Sequence, residues 1–154
     1  MVYERFGPEL DIVAEVVSGC LMTRARRVSR VITNIYDQEM RKHGLTASQF
    51  SMLIIIAKLG GASRSEIGRA NFQDRTTLTR NLAPLLNEGW IEELPTEGGR
   101  SRPVVISQAG KELLDTAGPA WRDAQRKASR LVGKNGAKAI LDIAMSLPRE
   151  GEPI

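Results

Sequence analysis

Three helix starts crowd into the stretch from Thr46 to Asp74, and they leave the chain few ways to fold. "LTASQF" puts Thr46 where an N-cap belongs and Gln49 three residues later, the pattern of a capping box. Leu45 and Phe50 stand where a hydrophobic staple would close around it. "SRSEIGRAN" repeats the signal with Ser63 and Glu66. Roughly two turns follow before Asn71-Phe72-Gln73, which reads as a tight connection. Asp74 then opens a third helix, its carboxylate suited to the positive end of the helix dipole. Two short helices so closely spaced make a helix-turn-helix pattern.

The third helix, "RTTLTRNLAPLLN", has two unlike faces. Leu78, Leu82, Leu85 and Leu86 form one apolar stripe at helical period. Elsewhere it carries Thr76, Thr77, Arg80, Pro84 and Asn87, and no acid occurs from Arg75 to Asn87. Such side chains suit a helix lying in the major groove. Thr and Asn exchange hydrogen bonds with base edges, the Thr methyl can touch thymine, and Arg grips guanine or phosphate with two bonds. An acid on that face would repel phosphates. Pro84 removes one backbone donor and crowds the Arg80 carbonyl, so a bend or altered hydrogen bonding is expected there. The helix should still continue, because the leucine stripe runs through it. Glu88-Gly89 ends it. "WIEELP" then reads as a strand, "TEGGRSR" as a turn and "PVVIS" as a returning strand. Arg100 and Arg102 sit at the hairpin tip beside Gly98 and Gly99, a basic finger able to reach along a minor groove.

The flanks are helical. Residues 9–42 carry Val17, Leu21, Val28, Val31, Ile32, Ile35 and Met40 on roughly one face, with a possible break near Ser18-Gly19. "RARRVSR" sets a basic flank beside it, more simply a solvated surface than a binding patch. "SMLIIIAKL" is apolar nearly all round, which predicts a helix buried in the middle of the fold. From Gln108 the chain returns to helix, with Ala117, Trp121, Ala124, Ala128 and Leu131 as a heptad-like seam. Gly118-Pro119 should interrupt its first turn, Gly133 should break it, and "AKAILDIAMSL" should form a last helix. The expected fold is therefore mainly α with a small β-hairpin. Residues 1–154 form one domain: a winged helix-turn-helix over 45–107 with its wing at 91–107, flanked by dimerisation helices at 9–42 and 108–147, and a tail at 148–154.

Composition narrows the function. The net charge is +4, yet residues 63–102 hold six basic and six acidic side chains. Binding to a polyanion would rest on the placement of a few arginines, not on bulk charge. No apolar run reaches membrane-spanning length, and the N-terminal "MVYERFGPELDIV" lacks the apolar core of a signal peptide. One cysteine fits a reducing, cytoplasmic setting. His43 is the lone histidine, and there is no metal-ligand spacing, phosphate loop or nucleophile motif. Neither an enzyme nor a cofactor or metal is expected, and His43 most simply satisfies the last carbonyls of its helix.

In this order of elements, "GLTASQF", "DRTTLTRNL", "NEGWIEE" and "GRSRPVVISQAGKELL" resemble the MarR family of winged-helix transcription regulators over roughly residues 10–147. The resemblance implies a homodimer, joined through first and last helices, on a pseudo-palindromic operator in double-stranded DNA. It implies repression of nearby genes, with release when a small, often aromatic or phenolic, inducer binds. The helix from Asp74 takes the recognition role and Arg100 that of the wing arginine. Two departures stand out. The family's wing carries an Asp where this chain has Gly98, with Glu97 adjacent, and its loop-back motif appears as Ile106-Ser107-Gln108-Ala109-Gly110. The DNA-contacting candidates are Ser63, Arg75, Thr76, Thr77, Arg80, Asn87, Arg100 and Arg102.

A dimer also has a physical reason. One recognition helix binds weakly, two reach half-sites ~34 Å apart, and the outer helices have too little core of their own. Two other readings stay open. Peroxide-sensing relatives place a reactive cysteine on the first helix near a tyrosine, and Tyr36 fits that tyrosine. Cys20, however, comes about two residues too early, roughly 200° around the helix, and Arg26 replaces a second tyrosine. A buried structural thiol is the better reading. The other alternative is a winged helix that binds protein and no DNA. Trp121, Met22 and Met52 could line an inducer pocket but read more simply as core.

Overall fold

A computed structural model describes residues 11–96, 98 and 102–148. The elements are α1 (Asp11–Gly19), α2 (Leu21–Met40), a 3-10 turn (Arg41–His43), α3 (Ala47–Leu59), α4 (Arg64–Ala70), α5 (Arg75–Asn87), β1 (Ile91–Glu93), β2 (Val104–Ile106) and α6 (Gln108–Ser146). The architecture is mainly helical with one antiparallel hairpin, in the order of a winged helix-turn-helix. Two compact units divide after Thr33.

In the first unit the helical run breaks at Cys20, one residue after the expected Ser18-Gly19. None of the α1 residues is buried. Cys20 is half-buried rather than buried, which corrects the expected core thiol. It precedes the first turn of α2, and hydrogen bonds from the Thr23 hydroxyl and amide, with Met22 and Arg24 adding to them, hold the thiol below its ordinary range. The basic flank stays on the surface: Met22, Arg26, Arg27 and Arg30 border a groove of about 480 Å³.

The second unit begins within α2 and holds the core. Both predicted capping boxes form, Thr46 with Gln49 and Ser63 with Glu66. Asp37 adds a tie by accepting from the Ala47 amide at 2.7 Å. The carbonyls at the end of α2 are met by the amides of Gly44 and Leu45, so His43 is not needed for that task. Gly44 reaches φ 72 to make this turn, a conformation glycine adopts without penalty. Leu45, Phe50, Leu53 and Ile56 pack with Ile67, Leu78, Leu82, Leu85, Ile91 and Val104. Burying each large aliphatic side chain stabilises the fold by about 1.5–3 kcal/mol. The expectation that α3 is buried all round fails. Ile54 and Leu59 stay exposed, while Phe50, Met52, Leu53 and Ile56 are buried and Ile55 packs partly against the core.

The hairpin pairs Ile91 with Ile106 and Glu93 with Val104. A further bridge joins Ala62 to Val104, which the sequence did not announce. Ser107 closes the return to helix. Its hydroxyl accepts from the Gly110 amide at 3.0 Å and donates to the Gly89 carbonyl at 2.6 Å. Gly110 lies so close to Trp90 that a Cβ would sit 2.2 Å from the Trp90 oxygen. The "ISQAG" stretch is thus a packing constraint as well as a cap.

Helix α6 passes through Pro119 without breaking, against expectation, and first leaves helical geometry at Gly133 (φ 74, ψ 165). Ala117, Ala120, Ala124 and Ala128 are buried within the chain, so the expected seam is largely occupied there. Trp121 and Leu131 remain exposed. Two polar ties bind this helix to the end of α2: Tyr36 donates to Gln125, and Lys127 with Lys42 grips the Glu39 carboxylate. Glu39 is only 4% exposed, and a carboxylate so buried needs such partners.

Candidate nucleic-acid interface

Helix α5 starts where the sequence placed it. Asp74 accepts from the Thr77 amide at 2.9 Å and from the Thr77 hydroxyl at 2.7 Å. These bonds, led by the hydroxyl, hold the Asp74 carboxyl below the usual range. The helix buries Leu78, Leu82 and Leu85 and leaves Thr76, Thr79, Arg80, Ala83, Pro84 and Asn87 exposed. Pro84 does not end it. The proline sits on the outer side, its lost donor falls away from the core, and the Glu88 amide still bonds the Pro84 carbonyl at 3.0 Å.

The candidate residues divide accordingly. Arg75, Thr76, Arg80 and Asn87 are exposed on α5, and Arg102 is exposed at the start of the returning chain. Among the described residues Arg75, Arg80 and Arg102 enter no ion pair. Thr77 and Ser63 are different. Both are partly buried N-terminal groups whose hydroxyls already serve caps, Thr77 toward Asp74 and Ser63 toward Glu66. Arg100 lies outside the described residues. Gly98 adopts φ 82, which gives its departure from the family's Asp a backbone reason.

Three side chains escaped sequence reasoning. Thr79 stands between Thr76 and Arg80 on the exposed face, and the spacing 76, 79, 80, 83 would have found it. Arg64 and Arg69 on α4 border a cleft of about 370 Å³ with Gly68, Gln73 and Arg75. Gly68 is required there, since a Cβ would stand 2.9 Å from the Gln73 oxygen. No local pattern marks those arginines, because their neighbours come from the turn and from α5. Of the pocket candidates, Met52 is core, while Trp121 and Met22 are exposed. Among the described residues no cluster of three or more His, Cys, Asp or Glu could hold a metal ion. Hydroxyls and guanidinium groups on the exposed side of α5 can give hydrogen bonds to base edges and phosphates.

Comparison with known proteins fits this geometry. The sequence model described as the MarR family matches residues 43–101. PecS of Dickeya dadantii, an HTH-type transcriptional regulator, is 33% identical over 112 residues, covering 70% of this chain and 65% of that protein. The match therefore spans just under two thirds of that relative's length. Among solved structures, the M. tuberculosis transcriptional regulator MosR in complex with DNA is 32% identical, with a TM-score of 0.72 over 82% of this chain and 92% of that one. A mutant MarR from E. coli with operator DNA gives a TM-score of 0.77 over 87% of this chain and 98% of that one. At 19% identity it is a likeness of fold alone.

Proposed function

The chain belongs to the MarR family of transcriptional regulators, and from that premise we propose that it is a homodimeric repressor bound to a pseudo-palindromic operator in double-stranded DNA. It is a regulator and not an enzyme. The observation that carries the proposal is the exposed, acid-free face of α5, where Thr76, Arg80 and Asn87 stand opposite a buried leucine stripe. In this reading α5 enters the major groove, Arg80 reads a base or clamps a phosphate, and Arg75 approaches the backbone from the helix start. Ser63 and Thr77 contribute by fixing helix ends. Arg100 and Arg102 follow the flanking minor groove as a wing. MosR, 32% identical and solved with DNA, supports the choice of partner.

The domain assignment belongs to the same proposal: a winged helix-turn-helix over 45–107 between dimerisation helices at 9–42 and 108–147. Exposed Ile12, Val16, Leu141 and Ile143 on the outer helices favour association with a second copy. Regulation is assigned to a small aromatic or phenolic ligand that releases DNA, and the site of action to the cytoplasm. No helix among the described residues is long and apolar enough to cross a membrane.

The test is duplex binding with an operator selected from the host genome. Arg80→Ala should cost about 1–3 kcal/mol and relax base preference at one position per half-site. Unchanged affinity and unchanged preference would refute the docking. Binding that ignores salt, or no binding to any selected duplex, would favour the protein-interaction reading. Cys20→Ser should leave peroxide-induced release as it is in the wild type; its abolition would instead establish the thiol-sensor alternative.

A further inference from the structure

Three consecutive residues at the junction of α3 and α4, Ala62, Ser63 and Arg64, each hold a different element. Ala62 exchanges two backbone hydrogen bonds with Val104 of β2, at 3.2 and 2.8 Å. Ser63 caps α4. Arg64 donates through Nη2 to the Glu93 carboxylate of β1. Glu93 faces Val104 in the hairpin register, so both grips fall on one rung, the last of the paired strand residues. Beyond that rung the described cross-strand bond is Leu94 N–H to the Pro103 carbonyl, at 2.9 Å.

A two-stranded ribbon is marginal by itself and twists readily. Held through β2 alone, it could rotate about that strand. A second grip on β1 removes the rotation. We propose that the Arg64–Glu93 pair is a positioning element for DNA recognition, a wing-root clasp that sets the angle at which the wing leaves the helix-turn-helix. This rests on the DNA-binding reading above. Arg64 and Glu93 are 30% and 27% exposed, open enough to exchange partners and sheltered enough to be screened less than a free surface pair. Arg64 also borders the cleft beside Arg69 and Arg75, but its charge is already matched by Glu93. Its part is therefore orientation, not direct attraction of phosphate.

Glu93→Gln separates the two roles by sign. Charge counting alone predicts tighter DNA binding when an acid near a polyanion is removed. The clasp requires the reverse: operator binding weaker by about twofold to fivefold, the range of a partly exposed ion pair. Hydroxyl-radical protection should fade at the flanking minor grooves and persist over the central major grooves. In the free protein, hydrogen exchange at the Leu94 and Val104 amides should quicken by a similar factor. Arg64→Gln should do the same, and the exchanged pair Arg64→Glu with Glu93→Arg should restore both slow exchange and flank protection. Tighter or unchanged operator binding by Glu93→Gln, or hairpin exchange that no variant alters, overturns the clasp. The exchange measurement needs no DNA, so a wild-type protein that binds no duplex would strike the proposed function and leave the clasp to be judged on exchange alone.

Discussion

Helix α5 and the stretch of α6 beyond Gly133 carry the same kind of amphipathic pattern, and the fold treats them oppositely. In α5 the apolar stripe is spent inside the chain, with Leu82 and Leu85 at 0% exposure. In distal α6 Leu141 is 61% and Met145 87% exposed. Helix α1 resembles the latter, with no buried residue at all. The difference teaches that apolar periodicity announces a need for a partner and does not say where the partner comes from. For α5 it comes from α3, α4 and the hairpin. For the outer helices we assign it to a second copy.

The sharpest way to break this contrast is truncation on both sides of it. Leu82→Ala should destabilise the folded chain by about 3 kcal/mol, in the range for a fully buried leucine, measured by urea unfolding. Leu141→Ala should change unfolding of the chain at high dilution by no more than about 0.5 kcal/mol. It should instead raise the dimer dissociation constant seen in sedimentation, since about 1.5–3 kcal/mol attends burial of such a side chain. Equal losses in the two variants under dilute conditions would erase the distinction.

A second experiment sharpens the account of α5. Pro84→Ala restores a backbone donor on the exposed side. A helix-interior proline costs about 3 kcal/mol relative to alanine, and about 1 kcal/mol of that is offset by its restriction of the unfolded chain. A gain of roughly 2 kcal/mol in unfolding free energy is therefore expected. If stability falls instead, Pro84 shapes the helix in a way its exposed position does not reveal.

The smallest effect concerns the tie between α2 and α6. Lys127, then Lys42, hold the Glu39 carboxyl at about 2, below its ordinary 4.5. Its stabilising effect is therefore complete above about pH 4.5 and is lost as pH falls toward 2. Glu39→Gln should flatten that acid limb of the Tm profile while lowering Tm near neutral pH. An acid limb identical to that of the wild type would remove Glu39 from the account.

Much of the fold was legible beforehand because its signals are local. Thr46 with Gln49, Ser63 with Glu66, and Asp74 each act on amides within a single turn, so consecutive letters suffice to read them. Gly133 was legible too, as a helix breaker. Pro119 misled, because a proline on an exposed side of a long helix costs a bond without stopping it. The alanine seam misled in another way: small residues spaced for close helix contact do not reveal whether that contact lies within the chain or between chains. On the candidate interface, the exposed side of α5 followed from the leucine stripe, whereas the engagement of the Thr77 hydroxyl by Asp74 emerged only from the structure.

The sequence by itself determined where helices begin, which side of α5 is apolar, and that a turn with glycines joins two short strands. These depend on interactions spanning a few residues, whose loop-closure cost is small. Only the tertiary structure decided that Ala62 pairs with Val104, that Arg64 reaches Glu93, and that Lys127 finds Glu39. Those contacts join segments far apart along the chain, and they exist because core packing first brings their backbones together.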